Sequence, residues 1–333
     1  MPTSRNGALD ALRVFSLLGV VTLHVAGGGF ADAKPLGFVL DELSRFAVPV
    51  FFILSGWFWK PDATATPLRF AGALAWRILP AFLLWLALYA IRDFVSYPAH
   101  LADLDGWRLV EWLWTGGPGF HLWFLPALVV GSLLVLVGLR WLGTPLTAML
   151  ALVLFVIGCV MGAYTDLVPE LRFSLKWYRN GILFAPAFLV IGVLMHRHAA
   201  DLLRIPLSVL LGVLVVPGIA QLAEGYLIVG HYPMGHDYSL ATLFYAPAIV
   251  AVFQRLQFDS PLWSELGAAT FMAYLVHLML LGWLVSDLGL GDNSLLVIAL
   301  CFGLSLALAL LWRSASTVVA GGWRGEAAAD PAR

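Results

Sequence analysis

The chain has 333 residues, of which 61% are hydrophobic and 12% charged, with net charge −1 and mean hydropathy +0.89. A soluble core does not absorb that much apolar surface, and a charge this close to zero leaves no footprint for nucleic acid, so composition places the protein in a bilayer. The two cysteines, Cys159 and Cys301, lie in apolar runs and supply neither a disulfide framework nor metal-ligand spacing.

Apolar runs of roughly 18 to 22 residues recur along the chain, each long enough to cross hydrocarbon. They predict an all-α integral membrane protein with about ten spans, near residues 8–27, 37–59, 70–91, 121–139, 146–164, 180–196, 205–223, 239–256, 267–286 and 294–312. No alternating barrel-type pattern competes with this reading. Lysines and arginines assigned to loops divide ten inside against seven outside when the N-terminus is cytoplasmic. The expected topology is therefore N-in/C-in.

The first run carries Arg13 and His24, with Asp10 before them. At about 100° per residue, the step from Arg13 to His24 is three turns plus roughly 20°, so both lie on one helix face about 16 Å apart along the axis. Ionisable groups inside a span face a cavity or a partner. Either both side chains enter one cavity at different depths, or Arg13 pairs with Asp10 near the inner headgroups while His24 sits at the outer boundary. A leader-peptide reading, with Arg5 and Arg13 as its basic region and Ala31-Asp32-Ala33 as its cleavage site, is weakened by Asp10.

The second run, SRFAVPVFFILSGWFWK from Ser44 to Lys60, begins with Arg45, carries Pro49 as an expected kink, and ends in a small-residue crossing point at Ser55-Gly56. The third holds Arg69 and Arg77. The longest outer segment, Arg92 to Phe120, is acidic at Asp93, Asp103, Asp105 and Glu111 and suits a small lid. His121 and Trp123 open the fourth run, and Tyr274 and His277 lie in the ninth. His196 and His198 read as surface residues of an inner loop. Glu224, His231, His236 and Asp237 read as a solvated outer loop. From Gly321 the chain turns alanine-rich and polar, which predicts a membrane domain over 1–316 and a disordered tail over 317–333.

Four of these stretches, in order, resemble the integral-membrane acyltransferase-3 family. They are the arginine, ten residues, histidine pattern at Arg13 and His24; PVFFILSGWF at Pro49 to Phe58; His121-Leu122-Trp123-Phe124-Leu125; and Tyr274-Leu275-Val276-His277. SRFAVPVFFILSG together with HLWFL looks most like surface-polysaccharide O-acetyltransferases. The resemblance implies an inner-membrane enzyme that transfers an acyl group, commonly acetyl from acetyl-CoA, onto a hydroxyl of a glycan or lipid-linked sugar. By position, it makes His24 the essential histidine and Arg13 the essential arginine, and it matches Arg45 and Arg77 to basic positions of the second and third helices. The family's third helix often opens with a cluster of arginines, of which only Arg69 and Arg77 stand here.

Acyl transfer to an alcohol requires removal of the hydroxyl proton, and a histidine titrates in the right range to take it. His24 is therefore the expected general base, with a covalent acyl-histidine as the alternative. Arg13, with Arg45 and Arg77, is expected to hold the phosphates of acyl-CoA, since arginine suits bidentate phosphate contacts. Asp10, Ser55, His121, Trp123, Tyr274 and His277 are the expected substrate-side residues. No HExxH or cysteine cluster points to a metal. The enzymatic reading expects Arg13 and His24 to enter one shared cavity, and separate compartments count against it. The competing reading is a transporter or flippase of a lipid-linked sugar, against which stands the lack of paired broken helices in two repeated halves. A third is a scaffold subunit.

Overall fold

A computed structural model describes residues 6–28, 34–165, 167–168, 173–233 and 236–328, with side chains through Ser316 except at 61 and 62. Within them the chain is helical, with no strand. Seven helical segments are long and apolar enough to cross a membrane: Gly7–Gly27, Pro67–Ser96, Phe120–Trp141, Gly143–Met161, Leu207–Val229, Pro261–Asp287 and Ser294–Ser316. Two shorter apolar helices are Ala185–Arg197 and Thr242–Leu256. Large apolar side chains such as Trp76, Leu84, Val216 and Leu311 point outward. That is the reverse of a soluble surface and the arrangement a lipid solvent permits.

The first helix, α1 (Gly7–Gly27), starts from Asn6, whose side chain accepts the Ala8 amide. It packs against α14 (Pro261–Gly282), α15 (Ser294–Ala328), and the pair α2 (Lys34–Ser44) and α3 (Ala47–Trp57). The single span expected over 37–59 is in fact this pair, two helices of 11 residues each. Pro49 explains the break. Its ring would strike the carbonyl of residue 45, and it offers no amide to bond there, so the helix stops short and restarts with proline in its first turn. Arg45 is left at the joint.

Segment 92–120 is more ordered than a loop. Helix α4 (Pro67–Ser96) runs to Ser96, followed by α5 (Ala99–Ala102) and α6 (Gly106–Thr115), which is capped by Asp105 and leaves Trp107, Leu109 and Val110 exposed. Gly116 and Gly117 then take φ of 82° and 54°, and a Cβ on Gly117 would sit 2.6 Å from the Trp112 ring. Only glycine makes that turn cheaply, and it delivers the 3₁₀ turn Phe120–Trp123 into α7 (Phe124–Trp141). At the far end the helix passes residue 316 without a break and continues to Ala328; residues 329–333 of the expected tail lie outside those described.

The small-residue crossing expected at Ser55-Gly56 is present. Helix α3 lies against α10 (Ala185–Arg197) so closely that a Cβ on Gly56 would come within 2.2 Å of the Leu189 carbonyl, and one on Gly192 within 2.0 Å of the Ile53 carbonyl. Backbone cannot yield as a flexible side chain does. Gly192→Val is expected to destabilise the protein by about 3 kcal/mol, the upper end of overpacking costs, read as a lower unfolding temperature in detergent. Gly212→Val, where nothing lies within 4 Å of the new Cβ, is expected to leave it unchanged.

Candidate functional site: three adjoining cavities around a histidine cluster

Three cavities lie side by side in the bundle. The first, about 640 Å³, has Arg13, Lys60 and Arg77 among largely apolar walls that include Phe51, Leu74 and Phe124. The second, about 430 Å³, has His24, Asp41, Arg45, His121, Arg179, His236 and Asp237 in its lining among apolar side chains. The third, about 530 Å³, is lined by His24, Arg92, Asp93, Tyr97 and Asp287 among others. The first and second share Val48 and Tyr274. The second and third share His24, Gly28 and Phe120. All three fall in the size range of small-ligand sites.

His24 is held by rings. It stacks on His277 of α14 at 5.2 Å between centroids and meets Phe120 edge-on at 5.2 Å. His121 approaches His277 at 4.9 Å, Tyr274 at 5.2 Å and Tyr89 at 5.1 Å. The backbone fixes these partners. His277 Nδ1 lies 2.5 Å from the Tyr274 carbonyl, Tyr274 Oη donates to the His121 carbonyl, and Tyr89 Oη donates to the Leu275 carbonyl at 2.9 Å. Three histidines from α1, the turn before α7, and α14 thus converge at the junction of the second and third cavities.

Arg45 anchors the second cavity. Its Nη2 donates to Asp41 at 3.0 Å, its Nε donates to Glu42 at 3.0 Å, and its Nη1 donates to the His236 carbonyl. All three side chains are buried. Glu42 is further satisfied by Gln221 Nε2 at 2.6 Å, and Gln221 accepts from Thr242 at 2.8 Å. Burial, with the nearby Arg45 guanidinium, holds the His236 imidazole well below its ordinary pKa. Arg179 pairs with Asp237 at 3.4 Å and lies 5.3 Å over the Trp123 ring.

Of the expected site residues, His24, His121, Trp123, Tyr274 and His277 come together. Ser55 joins Arg13 and Arg77 in the first cavity, its hydroxyl bonded to the Phe51 carbonyl at 2.8 Å. Asp10 is buried between α1 and α14, bonds Arg13 at 2.5 Å and Ser264 at 3.3 Å, and is absent from the linings of the three cavities. Arg45 is not beside Arg13 and Arg77; it lines the second cavity. Nor is there one shared cavity: Arg13 opens into the first, and His24 into the second and third, with Val48 and Tyr274 as the common wall. The loop read as solvated is partly interior. His236 is 3% exposed, and Glu224 accepts from Tyr164 and from Ser239 Oγ at 2.5 Å. His196 and His198 are exposed as expected.

Comparison with known proteins gives these positions a family. The model of the acyltransferase-3 family, described as an acyltransferase domain, matches residues 6–312. The chain belongs to this family, and its apolar helices make it a multi-pass membrane protein. It is similar to a serine/alanine racemase of Enterococcus gallinarum, 26% identical over 295 residues that are 82% of this chain and 40% of that protein. It is also similar to an amino-acid racemase of Enterococcus faecalis, 24% identical over 297 residues, again 82% and 40%. The chain therefore spans about two fifths of the length of the curated relatives it matches. No solved structure matches it.

The ionic group at the α2–α3 joint yields a stability prediction. Arg45→Ala leaves two buried carboxylates facing one another and is expected to cost about 3–5 kcal/mol. Arg45→Lys, a point donor in place of a fork, is expected to fall between that variant and wild type. Thermal unfolding of detergent-purified protein measures both.

Proposed function

We propose that this member of the acyltransferase-3 family transfers an acyl group, acetyl in the simplest case, from acyl-CoA to a hydroxyl of a glycan or lipid-linked sugar at the cell inner membrane. The observation that carries the reading is the position of His24. It lines both the second and the third cavity, and the second shares Val48 and Tyr274 with the first, whose lining holds Arg13, Lys60 and Arg77.

In this reading the first cavity takes the donor. Its cations meet the nucleotide phosphates, as arginine does best, and its apolar walls accept the extended pantetheine arm. The distance of about 16 Å from Arg13 to His24 along α1 is comparable to the length of that arm. The thioester is presented at Tyr274 and Val48. A ring that forms the wall between two cavities needs to rotate, not a helix to move, for the carbonyl to reach His24. The acceptor hydroxyl comes to His24 from the other side. Its oxygen bonds to the acyl carbon as His24 takes its proton, the carbon–sulfur bond breaks, and the thiolate of CoA leaves and receives a proton in turn. Asp10 holds Arg13 in place. Arg13 also lies 5.1 Å over the Phe58 ring. Arg45 serves the acceptor side of the site, not the donor.

Release of CoA thiol and formation of sugar ester by protein in nanodiscs test this. His24→Ala is expected to lower transfer by about 10²–10⁴-fold, the usual worth of a general base. Arg13→Ala is expected to raise the donor KM with a smaller effect on kcat. Wild-type transfer by His24→Ala removes His24 as the general base, and no transfer by wild type removes the enzymatic reading. Sugar movement across the bilayer without loss of thioester favours a transporter in its place.

A further inference from the structure

His277 reaches the histidine cluster from α14, so the turn of α14 that carries it decides where its ring lies. In a regular helix the Met279 amide bonds the Leu275 carbonyl four residues back. Here one hydroxyl from another helix is bonded to both ends of that rung. Tyr89 Oη, on α4, donates to the Leu275 carbonyl at 2.9 Å and accepts from the Met279 amide at 3.1 Å. A phenol hydroxyl both donates and accepts, so it can bridge a rung and leave neither partner unmet. A side chain that enters the ladder in this way is one of the few identifiable causes of a bend in a helix.

Other contacts concentrate on the same turn. Three residues along α4 from Tyr89, Arg92 Nη1 donates to the Met279 carbonyl at 2.7 Å. Helix α4 therefore holds the residue Met279 by both its amide and its carbonyl. The Leu275 carbonyl also faces the His121 imidazole. Between the two ends of the rung sits His277, whose ring stacks on His24. Just beyond Gly282, residues Trp283–Asp287 form a π turn, with the Leu288 amide bonded to the Trp283 carbonyl at 3.0 Å. Such turns are rare and recur at functional sites.

The surroundings of Tyr89 are shaped to its ring. It is buried, and a Cβ on Gly119, in the turn before His121, would come within 2.7 Å of it. Phenylalanine would fill the same space; only the hydroxyl reaches the backbone of α14. We infer that Tyr89 is a positioning residue for the histidine cluster: its hydroxyl bridges the Leu275–Met279 rung and thereby sets the turn of α14 that presents His277 to His24. Without it the Met279 amide and the Leu275 carbonyl are left to bond each other, the rung closes as in a regular helix, and His277 moves with it. This rests on the acyl-transfer reading for its effect on rate, but not for its effect on the rings.

The test uses the full chain in nanodiscs and Tyr89→Phe, which deletes one oxygen and keeps the ring. With acetyl-CoA as donor and methyl glucoside as acceptor, this variant is expected to lower kcat about tenfold with both KM values unchanged. NMR of histidine-labelled protein, its eight imidazoles assigned by single substitutions, is expected to show the His24 and His277 ring signals moved. In a His277→Ala background the same substitution is expected to move neither kcat nor the His24 signal, because the residue it acts through is gone. Tyr238→Phe is the control. The Tyr238 hydroxyl also donates to a backbone carbonyl at 2.9 Å, that of Tyr178, and Tyr238 lines none of the three cavities. Its loss is expected to lower the unfolding temperature by a similar amount and to leave kcat and both signals unchanged. The amine of 4-aminophenylalanine at residue 89 keeps the donor but accepts weakly, and is expected to fall between Tyr89→Phe and wild type.

The inference is overturned if both ring signals keep their wild-type positions in Tyr89→Phe, if Tyr238→Phe moves them equally, if kcat does not fall, or if it falls as far without His277 as with it. If wild type transfers no acetyl group, the acyl-transfer reading falls and the two ring signals alone decide the role of Tyr89. If Tyr89→Phe does not fold, the 4-aminophenylalanine protein carries the same comparisons, and wild-type signals in it overturn the inference.

Discussion

Arg45 and the two carboxylates that hold it are the interaction on which the architecture of the site depends. A guanidinium inside a membrane-embedded bundle is tolerable only when its donors are met. Here they are met from three directions, by Asp41, Glu42 and the His236 carbonyl. That requirement ties the end of α2, the start of α3 and the loop before α13 (Thr242–Leu256) into one unit. Glu42 then extends the tie to Gln221 on α12 (Leu207–Glu224), and through Ser239 to Glu224. A proline sets the whole arrangement in motion. Without Pro49 the helix would run unbroken through residue 45, and Arg45 would have no joint to occupy.

The second constraint is aromatic. The histidines touch one another and their neighbours mainly through ring faces and edges, while backbone carbonyls take up the polar ends of Tyr274, Tyr89 and His277. Packing of this kind fixes orientation without adding fixed charge next to His24. It also leaves Tyr274 with two duties. Its hydroxyl holds the His121 backbone, and its ring closes the wall between the first and second cavities. The close approach of α3 and α10 at Gly56 and Gly192 supports the same region from behind, since α3 carries Val48 on that wall and Phe52 into the ring cluster against Trp123 and Phe124.

Much of this was legible in the sequence. Each apolar run coincides with helix, because length and hydropathy in a bilayer leave little else. The spacing of Arg13 and His24 did place each of them on a cavity wall. The expected single cavity was not found, because helical geometry gives the face of a side chain but not the ring that another helix inserts between two of them. The role of Arg45 was misjudged for a more instructive reason. Asp41 and Glu42 lie four and three residues before it, the spacing at which helix neighbours pair, and that signal was available. It was outweighed by treating the region as one continuous span. The loop with His236 was misread because local composition cannot show that a distant guanidinium will recruit a backbone carbonyl from it. Arg179 and Asp237 carried no local signal.

The two sides of His24 differ in kind, and on the proposed acyl-transfer reading this difference bears on where the two substrates would sit. The first cavity is apolar with cations at its rim, which suits a molecule with a long arm and an anionic end. The second is crowded with acceptors whose charges are already balanced. Two such substrates would not share one site well, because desolvating phosphate beside Asp41 and Asp237 is unfavourable, and sugar hydroxyls gain nothing from apolar walls. On that reading, Val48 and Tyr274, which line both cavities, would let each substrate keep the environment that suits it while the reacting atoms meet between them.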